Sequence, residues 1–326
     1  MRITEVQKEF VFDVKNAPTP QCHASTILKL QNGDLLCAWF GGTREGAADV
    51  RIWLARRHGG IWSAPVMVVD DLDCAHWNPV LFETRDGVVR LYYKCSPEIR
   101  TWRTYTATST DGGVTFSAPR ELVAGDVGGR GPVKNKPLYL ADGTLLAPAS
   151  IETPECWYGM IDISNDDGES WNAVRIPMIR PQGEDPALKL IQPTLWEAPA
   201  GCVHALLRSN KGAAYRSDSA DGGRTWCAAY PTDLPNNHSG LDLTKLPDGT
   251  LALVCNPVSG RARTPLTLSF STDNGIVFRQ VLTLEDAEGE YSYPAVVTDG
   301  ETLYITYTYR RETVAFVKVG LAADRS

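Results

Sequence analysis

This chain of 326 residues has no apolar run that approaches the roughly 18 residues of a membrane-spanning helix. Its opening residues, MRITEVQKEF, lack the apolar stretch that follows the basic residue of a secretory signal peptide. Basic residues are also too few to favour a nucleic acid partner, because 32 Lys and Arg stand against 39 Asp and Glu. We therefore expect neither a membrane nor a nucleic acid as partner, and a cytoplasmic location.

Metal-ligand motifs are missing as well. The eight cysteines are spread along the chain, and no two of them have CxxC spacing. Cys37, Cys202 and Cys255 lie within predicted strands, where a buried free thiol is the expected state. These observations predict a reducing compartment, no metal and no other cofactor. Nothing in the sequence indicates the oligomeric state.

What the chain does contain is one short pattern repeated four times, Ser-x-Asp-x-Gly-x-x-aromatic. The copies begin at Ser109, Ser164, Ser219 and Ser271, so successive copies start 55, 55 and 52 residues apart. A degenerate fifth copy runs from His58 to Trp62. Self-similarity at such a period is typical of stacked or radially arranged repeats.

A second set of glycines recurs in phase with this pattern. Five of them follow Asn or Asp, and the sixth follows Ala200. Asn-Gly and Asp-Gly are typical of tight hairpin turns, because glycine adopts positive φ at little cost. Each repeat therefore reads strand, glycine turn, strand, loop, strand, box, strand. The six turn glycines are Gly33, Gly87, Gly143, Gly201, Gly249 and Gly300.

Six such units predict an all-β fold, a six-bladed β-propeller that forms a single domain over residues 1–326. A solenoid of β-hairpins is the alternative, and the absence of capping repeats disfavours it. The last repeat ends after Val314–Val319 without a box or a fourth strand. We therefore expect an N-terminal strand, at about residues 8–14, to complete the final blade.

Propeller geometry predicts where a site should lie. If the glycine turns occupy one face, the start of each first strand and the end of each second strand lie on the opposite face. Residues about ten positions before each turn glycine should then surround the mouth of the central channel. They are His23, His76, Lys134 with Lys136, Gln192, His238, and Tyr291 with Tyr293.

Histidine is scarce in the chain, yet three of its five histidines occupy this one repeat position. Three imidazoles can hold zinc. However, blades 1, 2 and 5, which carry His23, His76 and His238, are not all adjacent in a six-membered ring, so the pattern disfavours a metal site. Lys134 and Lys136 are expected to bind an anion at the channel mouth.

The ends of the second strands and the loops after them add further polar residues on the same face. Several guanidinium groups that converge there would offer forked donors to a carboxylate or a sulfate. This arrangement predicts a site for an acidic small molecule. Arg310 and Arg311 are neighbours, so one of them should face solvent. The residues of this second set are Glu45, Ser150 with Glu152, Arg208, Asn256, Arg263, and Tyr307 with Arg310 and Arg311.

The repeated pattern is the Asp box typical of sialidases, and the chain resembles the sialidase superfamily along nearly its whole length. The greatest likeness is to bacterial sialidase-like proteins with BNR repeats. Several stretches carry it besides the boxes: His23-Ala-Ser-Thr-Ile, Gly41-Gly-Thr-Arg-Glu-Gly46, Gly131-Pro-Val-Lys-Asn-Lys-Pro137 and Glu290-Tyr-Ser-Tyr-Pro294.

The resemblance implies roles for individual residues. Sialidases hold the substrate carboxylate with three arginines; the second and third match Arg208 and Arg263, and the position of the first holds His23. The nucleophilic tyrosine, which serine follows, matches Tyr291. The glutamate that partners this tyrosine falls on Gln192, a neutral amide that cannot accept the phenol proton.

The segment of the acid/base aspartate holds Glu45 and Asp49. The candidate catalytic residues are thus Tyr291, Glu45, His76 and His23. The candidate substrate-binding residues are Arg208, Arg263, Gln192, Lys134, Lys136, His238, Asn256 and Arg310.

Three functions remain open on this basis. The first is an exo-acting glycoside hydrolase on a sialic-acid-like or other carboxylated sugar, with Glu45 as proton donor and Tyr291 as nucleophile or electrostatic stabiliser. The second is a lyase on uronic-acid glycans, in which His76, His23 or Tyr291 removes the proton that the carboxylate acidifies. The third is a non-catalytic glycan-binding propeller.

Overall fold

The computed structural model describes residues 1–70, 73–153, 156–179 and 187–323. Its strands form six antiparallel sheets, and these are the six blades of a β-propeller. The predicted fold class is therefore confirmed. The helices of these ranges are two short 3-10 turns, Val14–Asn16 and Ile99–Thr101, and none has the length or hydropathy of a membrane-spanning segment.

Each blade is built from consecutive stretches of chain, apart from the last. The chain begins with β1 (Arg2–Phe10). Blade 1 contains β2 (Gln21–Lys29), β3 (Leu35–Gly42), β4 (Arg51–His58), β5 (Ile61–Trp62) and β6 (Val66–Val69). Blade 2 contains β7 (His76–Glu83), β8 (Val89–Cys95), β9 (Arg103–Ser109) and β10 (Arg120–Glu121). Blade 3 contains β11 (Leu138–Tyr139), β12 (Leu145–Glu152), β13 (Trp157–Ser164) and β14 (Asn172–Arg175).

The second half of the ring repeats this order. Blade 4 contains β15 (Leu190–Glu197), β16 (Val203–Ser209), β17 (Ala213–Ser219) and β18 (Tyr230–Pro235). Blade 5 contains β19 (Asp242–Lys245), β20 (Leu251–Cys255), β21 (Leu266–Ser271) and β22 (Arg279–Glu285). Blade 6 contains β23 (Tyr291–Thr298), β24 (Thr302–Tyr309) and β25 (Thr313–Ala322), and β1 is its outermost strand.

The N-terminal strand closes the ring by pairing antiparallel with β25, from Arg2 opposite Ala322 to Phe10 opposite Ala315. It lies earlier in the chain than residues 8–14, where the sequence led us to expect it. Val11 and Phe12 follow the strand and are buried, and Phe12 stacks on Trp39 of blade 1. Val11 still donates its backbone N–H to the carbonyl of Val314 at 2.9 Å, and the side chains of both residues pack between blades 6 and 1.

Buried apolar side chains of the described residues gather in six clusters, and each cluster lies between two consecutive blades. Blades 1 and 2, for example, share a cluster that includes Leu36, Phe40, Trp77 and Tyr93. Burial of apolar area at about 25 cal/mol per Å² makes these interfaces the main stabilising contribution. The first strands of the six blades line the axis of the ring. The side chains that they place at the axis are largely polar.

The Asp boxes link the third and fourth strands of blades 2 to 5 on the face of the glycine turns. In each box the serine hydroxyl donates to the aspartate at 2.6–2.8 Å and accepts the N–H of the box glycine at 2.7–2.9 Å. The aspartate accepts a backbone N–H four residues later at 2.8–3.0 Å. The boxes are thus turns that organise the blades, away from the channel mouth.

The aspartates of these turns should make the thermal stability of the fold sensitive to acid. Hydrogen bonds from Ser170 lower the pKa of Asp166 to about 2, and those from Thr225 lower the pKa of Asp221 to about 2. A carboxyl whose pKa is lower in the folded chain contributes stability above its unfolded pKa, and that stability is lost as pH falls through the folded pKa. We expect the melting temperature to fall steeply between pH 4 and pH 2. Thermal unfolding at pH 7, 4 and 2.5 checks this, and Asp166→Asn should melt lower at pH 7 but lose less on acidification. An equal acid-induced loss in Asp166→Asn would contradict the explanation.

One covalent link was not predicted from the sequence. Cys74, in the loop before β7, forms a disulfide bond with Cys95 at the end of β8. Cys37 and Cys255 are free and buried, whereas Cys202 is only half-buried and precedes β16 instead of lying in it. The cellular compartment stays a prediction.

Candidate active site at the channel mouth

Each inner strand, or the segment that leads into it, contains one residue other than glycine with a left-handed backbone. Their φ values lie between +44° and +67°. In blades 1, 2, 4 and 6 this residue coincides with a register shift against the second strand. Such bulges re-aim a side chain, and strained residues of this kind cluster at functional sites. The six residues are Ala24, Asn78, Lys134, Gln192, His238 and Tyr293.

The phenol of the site belongs to Tyr293 and not to Tyr291, the predicted nucleophile. The bulge residue lies nine positions before the turn glycine in blades 1 to 4, but seven positions before Gly300 in blade 6. Tyr291 therefore points into the apolar cluster between blades 5 and 6 and is fully buried there. Its hydroxyl contacts Arg310 instead of Arg208 or Arg263. Counting back from Gly300 gave both tyrosines, and the resemblance to the sialidase tyrosine that serine follows then selected Tyr291. The two-residue shorter hairpin places the strained backbone at Tyr293 instead.

Arg208, at the end of β16, is the centre of the site. Its Nη1 donates to the Tyr293 hydroxyl at 2.6 Å and to the Gln192 side-chain oxygen at 3.1 Å. Its Nε donates to Nδ1 of His238 at 3.3 Å. None of these acceptors is a carboxylate, and no carboxylate of the described ranges is paired with this guanidinium. The structure thus brings two predicted residues, Gln192 and His238, together with Tyr293 around a buried charge whose direct partners are neutral.

Arg263 and Arg311 share one carboxylate, that of Glu290. Arg263 Nη1 lies 2.5 Å from Glu290 Oε1, and Arg311 Nε lies 3.0 Å from Glu290 Oε2. Burial alone would raise the pKa of Glu290, but the charge of Arg263 and the hydrogen bonds of Arg311 outweigh it and hold that pKa below its ordinary value. The Arg263 guanidinium also lies 5.5 Å from the ring centroid of Tyr293. Arg263 therefore adjoins the phenol that Arg208 contacts, and Glu290 links Arg263 to Arg311.

His23 lies against the same phenol. It is 2% exposed, its Nδ1 is 2.8 Å from the Thr308 hydroxyl, and its ring centroid is 4.4 Å from that of Tyr293. Burial lowers the pKa of His23 well below its ordinary value, and four nearby positive charges add to the effect. A neutral imidazole is the consequence. The four charges belong to Arg311, Arg263, Arg208 and Lys134.

His238 and Trp157 form an aromatic wall beside Arg208. Their ring centroids are 5.9 Å apart, and Lys189 Nζ lies 4.2 Å from the centroid of the indole. Burial, aided by the charge of Arg208, lowers the pKa of His238 to about 4. Near neutral pH the site therefore holds neutral histidines among charged arginines.

Glu45 lies at the rim of the site, in the loop after β3. Its Oε2 accepts a hydrogen bond from Arg311 Nη1 at 2.6 Å, and 37% of its side chain is exposed. Asp49, the other carboxyl of this segment, accepts hydrogen bonds from the backbone and the hydroxyl of Thr43 instead. Both carboxyls are exposed, and Glu45 is the one that contacts Arg311.

Arg310 is not part of the site, contrary to our prediction. Arg310 and Arg311 both have left-handed backbones, with φ of 53° and 60°, in the turn between β24 and β25. Arg310 is exposed, and its Nε and Nη2 donate to the Tyr291 hydroxyl at 3.3 and 3.2 Å. Arg311 is the arginine that turns inward, towards Glu290 and Glu45.

The two lysines that were predicted to bind an anion, Lys134 and Lys136, instead form hydrogen bonds and an ion pair within the protein. Lys134 Nζ donates to the carbonyl of Leu241 at 3.0 Å, to Asn135 Oδ1 at 2.8 Å and to the carbonyl of Pro294. Burial lowers the pKa of Lys134 to about 7. Lys136 pairs with the buried Asp242 at 2.8 Å. Their ammonium groups therefore join blades across the axis, and neither points a free donor at the mouth.

His76 and Asn256 also have structural contacts. His76 is fully buried, its Nδ1 donates to the carbonyl of Val50 at 3.0 Å, and its ring stacks on Tyr93. Asn256 Nδ2 donates to the carbonyls of Pro265 and Tyr291 at 2.8 and 2.9 Å. Asn256 thus holds the segments that carry Arg263 and Glu290, and His76 contacts Val50 and Tyr93 of blades 1 and 2.

Three residues of the site were missing from the predicted set, namely Tyr293, Arg311 and Glu290. Tyr293 and Arg311 were named as neighbours of the chosen residues, and only the backbone geometry separates them. Glu290 had one signal, since it directly precedes the stretch Tyr291-Ser292-Tyr293. In the described ranges, no three His, Cys, Asp or Glu side chains are placed to hold a metal ion.

The arrangement is suited to an anion. Three guanidinium groups and the buried Lys134 side chain surround the His23 ring, which lies against the Tyr293 phenol, and Glu290 is the carboxylate that pairs with Arg263 and Arg311. A buried positive charge with neutral partners attracts a carboxylate strongly, because the local dielectric constant is low. The same charge would stabilise negative charge that develops on the Tyr293 oxygen.

Comparison with known families agrees with this architecture. A family model described as a BNR repeat-like domain matches residues 33–305. The chain belongs to this family. The match includes all four Asp boxes and the six glycine turns, and it ends within β24.

Curated and solved relatives are sialidases or proteins of the same fold. The chain is 28% identical over 246 residues to a sialidase of Micromonospora viridifaciens; the match covers 68% of this chain and 36% of the relative. The chain thus spans about a third of that protein's length. The structure resembles a Hadza microbial sialidase, with a TM-score of 0.80, 17% identity and coverage of 97% and 68%. It also resembles the Trypanosoma rangeli sialidase in complex with the inhibitor DANA, with a TM-score of 0.76, 13% identity and coverage of 98% and 60%. A protein of unknown function from Dyadobacter fermentans has a TM-score of 0.78 at 15% identity, with coverage of 97% and 99%.

Proposed function

We propose that this protein is an exo-acting glycoside hydrolase that removes a terminal carboxylated sugar, sialic-acid-like or similar, with an altered catalytic set. The observation that carries the proposal is the contact of 2.6 Å between Arg208 and the Tyr293 phenol, in a site that Arg263 and Arg311 share. Membership of the BNR repeat-like family and the likeness to sialidases support the reaction class.

In this proposal the arginines hold the sugar carboxylate and Tyr293 faces the anomeric carbon. Tyr293 would act as nucleophile or electrostatic stabiliser, since tyrosine replaces a carboxylate in sialidases. Gln192 cannot accept the phenol proton, so in the nucleophilic route that proton passes to solvent water and the positive charge of Arg208 stabilises the phenolate that results. Glu45, the accessible carboxyl at the rim, would protonate the leaving oxygen.

The lyase alternative has less support from the geometry. A base that removes a carbon-bound proton works best when its pKa is near the working pH. Burial lowers the pKa of both His23 and His238, and the Nδ1 of His76 is bonded to the carbonyl of Val50. Tyr293 would be the remaining base.

A panel of sialyl, Kdo-type, uronyl and rhamnosyl glycosides tests the proposal, with product mass as readout. We expect release of a free acidic sugar, with one molecule of water added across the broken bond. A product without added water, together with the ultraviolet absorbance of an unsaturated uronate, would establish a lyase instead. Binding without any turnover would leave a glycan-binding propeller. Arg208→Ala serves as the matched control for activity that copurifies with the protein.

A further inference from the structure

Glu152 is a buried carboxyl that the proposed reaction does not use. It ends β12, the second strand of blade 3, and is 6% exposed. Its Oε1 has no hydrogen-bond partner among the described residues. A buried carboxylate without partners is costly, so such a group is either neutral or held by nearby charge.

The strand directs Glu152 towards Arg208. Ser150, two residues earlier, lies on the same face of β12, and its hydroxyl accepts the backbone N–H of Gln192 at 2.7 Å. That face therefore packs against the first strand of blade 4. Gln192 in turn accepts a hydrogen bond from Arg208, and the charge of Arg208 acts on Glu152. The carboxyl of Glu152, from blade 3, thus lies near Arg208. Within blade 4, the hydrogen-bond acceptor of Arg208 is the side-chain amide of Gln192.

Three positive groups face Glu152, and each already has other contacts. They are Arg208, Lys94 of blade 2 and Lys189 beside Trp157. Lys94 Nζ donates to the Thr104 hydroxyl at 2.6 Å and to the carbonyls of Gly129 and Arg130. Burial raises the pKa of Glu152 to about 7, and the three positive charges only partly oppose it. The carboxyl therefore changes charge near neutral pH without being locked in an ion pair.

We propose that Glu152 is a positioning residue that acts through Arg208, so that a carboxylated sugar binds tightly when Glu152 is neutral and weakly when it is ionised. The inference rests on the proposed function, because it assumes that the ligand carries a carboxylate. Below the pKa of Glu152, the charge of Arg208 is free to attract that carboxylate. Above it, the second anion beside Arg208 repels the ligand and offsets the attraction.

The test is calorimetric binding of N-acetylneuraminate and glucuronate to the intact chain at pH 6 and pH 8. We expect the affinity of the wild type to fall about tenfold between these values, since a like charge enters the site. The methyl esters of both sugars, which carry no charge, should show no such change. In Glu152→Gln the affinity at pH 8 should equal that at pH 6, whereas Glu152→Asp should keep the pH dependence.

Two controls separate Glu152 from other groups. Lys94 and Lys134 each have a pKa lowered by burial to about 7, and their loss of charge would act in the same direction. If either lysine were responsible, the pH dependence would persist in Glu152→Gln and the inference would be wrong. Glu83, at the turn end of β7, also has a pKa raised by burial, so Glu83→Gln should behave as the wild type.

A measurement on the wild type covers the case in which a variant does not fold. An anion beside Glu152 raises its pKa, so binding near pH 7 should take up a fraction of one proton, which calorimetry in buffers of different ionisation enthalpy detects. Absence of proton uptake overturns the inference. Binding with the expected pH dependence but no turnover counts against the hydrolase alone, and failure of both acids to bind at pH 6 overturns both proposals.

Discussion

Tyr293→Phe should lose at least about a thousandfold in kcat, equivalent to about 4 kcal/mol of transition-state stabilisation, on the glycoside that the panel identifies. The hydroxyl that it removes is the atom that Arg208 contacts at 2.6 Å. The ring stays in place against His23, so binding of the sugar should change little. Kinetics at saturating substrate, with calorimetric binding in parallel, separate the two effects.

The matched control lies two residues earlier in the same strand. Tyr291→Phe removes a hydroxyl that accepts hydrogen bonds from the exposed Arg310. We expect kcat and KM within about threefold of the wild type and a loss of about 0.5–1.5 kcal/mol in the free energy of unfolding. If Tyr291→Phe were inactive and Tyr293→Phe active, the assignment of Tyr293 as the phenol of the site would be wrong and Tyr291 would take its place.

Arg208→Ala is the second change with a large expected effect. The guanidinium is 8% exposed, and its removal leaves Gln192 and Tyr293 without their donor. Truncating one partner of a buried charged hydrogen bond costs about 2–5 kcal/mol, so kcat/KM should fall by about 30- to 5,000-fold. Arg208→Lys should recover only part of this loss, because an ammonium group cannot reproduce the forked contacts.

Arg310→Ala provides the comparison for Arg208. Arg310 is an arginine of the same face, but its side chain is exposed and directed at Tyr291. Its removal should alter kcat/KM by no more than about twofold, as is usual for exposed side chains outside a site. A loss comparable with that of Arg208→Ala would place Arg310 in substrate binding after all. Unfolding curves of both variants check that neither loss of activity reflects loss of fold.

The fold was predictable from local sequence, because its determinants are local. Each Asp box closes through hydrogen bonds within seven residues, and each glycine turn needs only one residue with positive φ. Their alternation specifies four strands per unit, and six units close a ring. The bounds of the closing strand were less predictable, since Val11 and Phe12 are as apolar as strand residues but are buried against Trp39 of another blade.

The site was only partly predictable, for a physical reason. Counting back from the turn glycines locates Lys134, Gln192 and His238 correctly as residues with a left-handed backbone. In blades 1 and 2 it selected His23 and His76 instead of Ala24 and Asn78. In blade 6 it gave both Tyr291 and Tyr293, and the resemblance then favoured Tyr291. Sequence alone does not reveal which of two adjacent residues a strained backbone turns inward.

The contacts of Lys134 and Lys136 and the surroundings of Glu152 could not be predicted from the sequence, for a related reason. Lys134 reaches carbonyl groups of blades 5 and 6, more than a hundred residues away in the chain. The burial of Glu152 depends on neighbours from blades 2 and 4. Contacts between blades form only when the ring closes, and the sequence of a single repeat does not indicate them.

The bulges have a consequence for how this scaffold can diversify. Every blade has one strained residue in or just before its first strand, while the glycine turns that specify the sheets lie at the other end of that strand. Substrate preference and foldability are thus encoded at separate ends of each hairpin. Ala24 and Asn78, the residues with a left-handed backbone in blades 1 and 2, are the natural positions at which to engineer a new specificity.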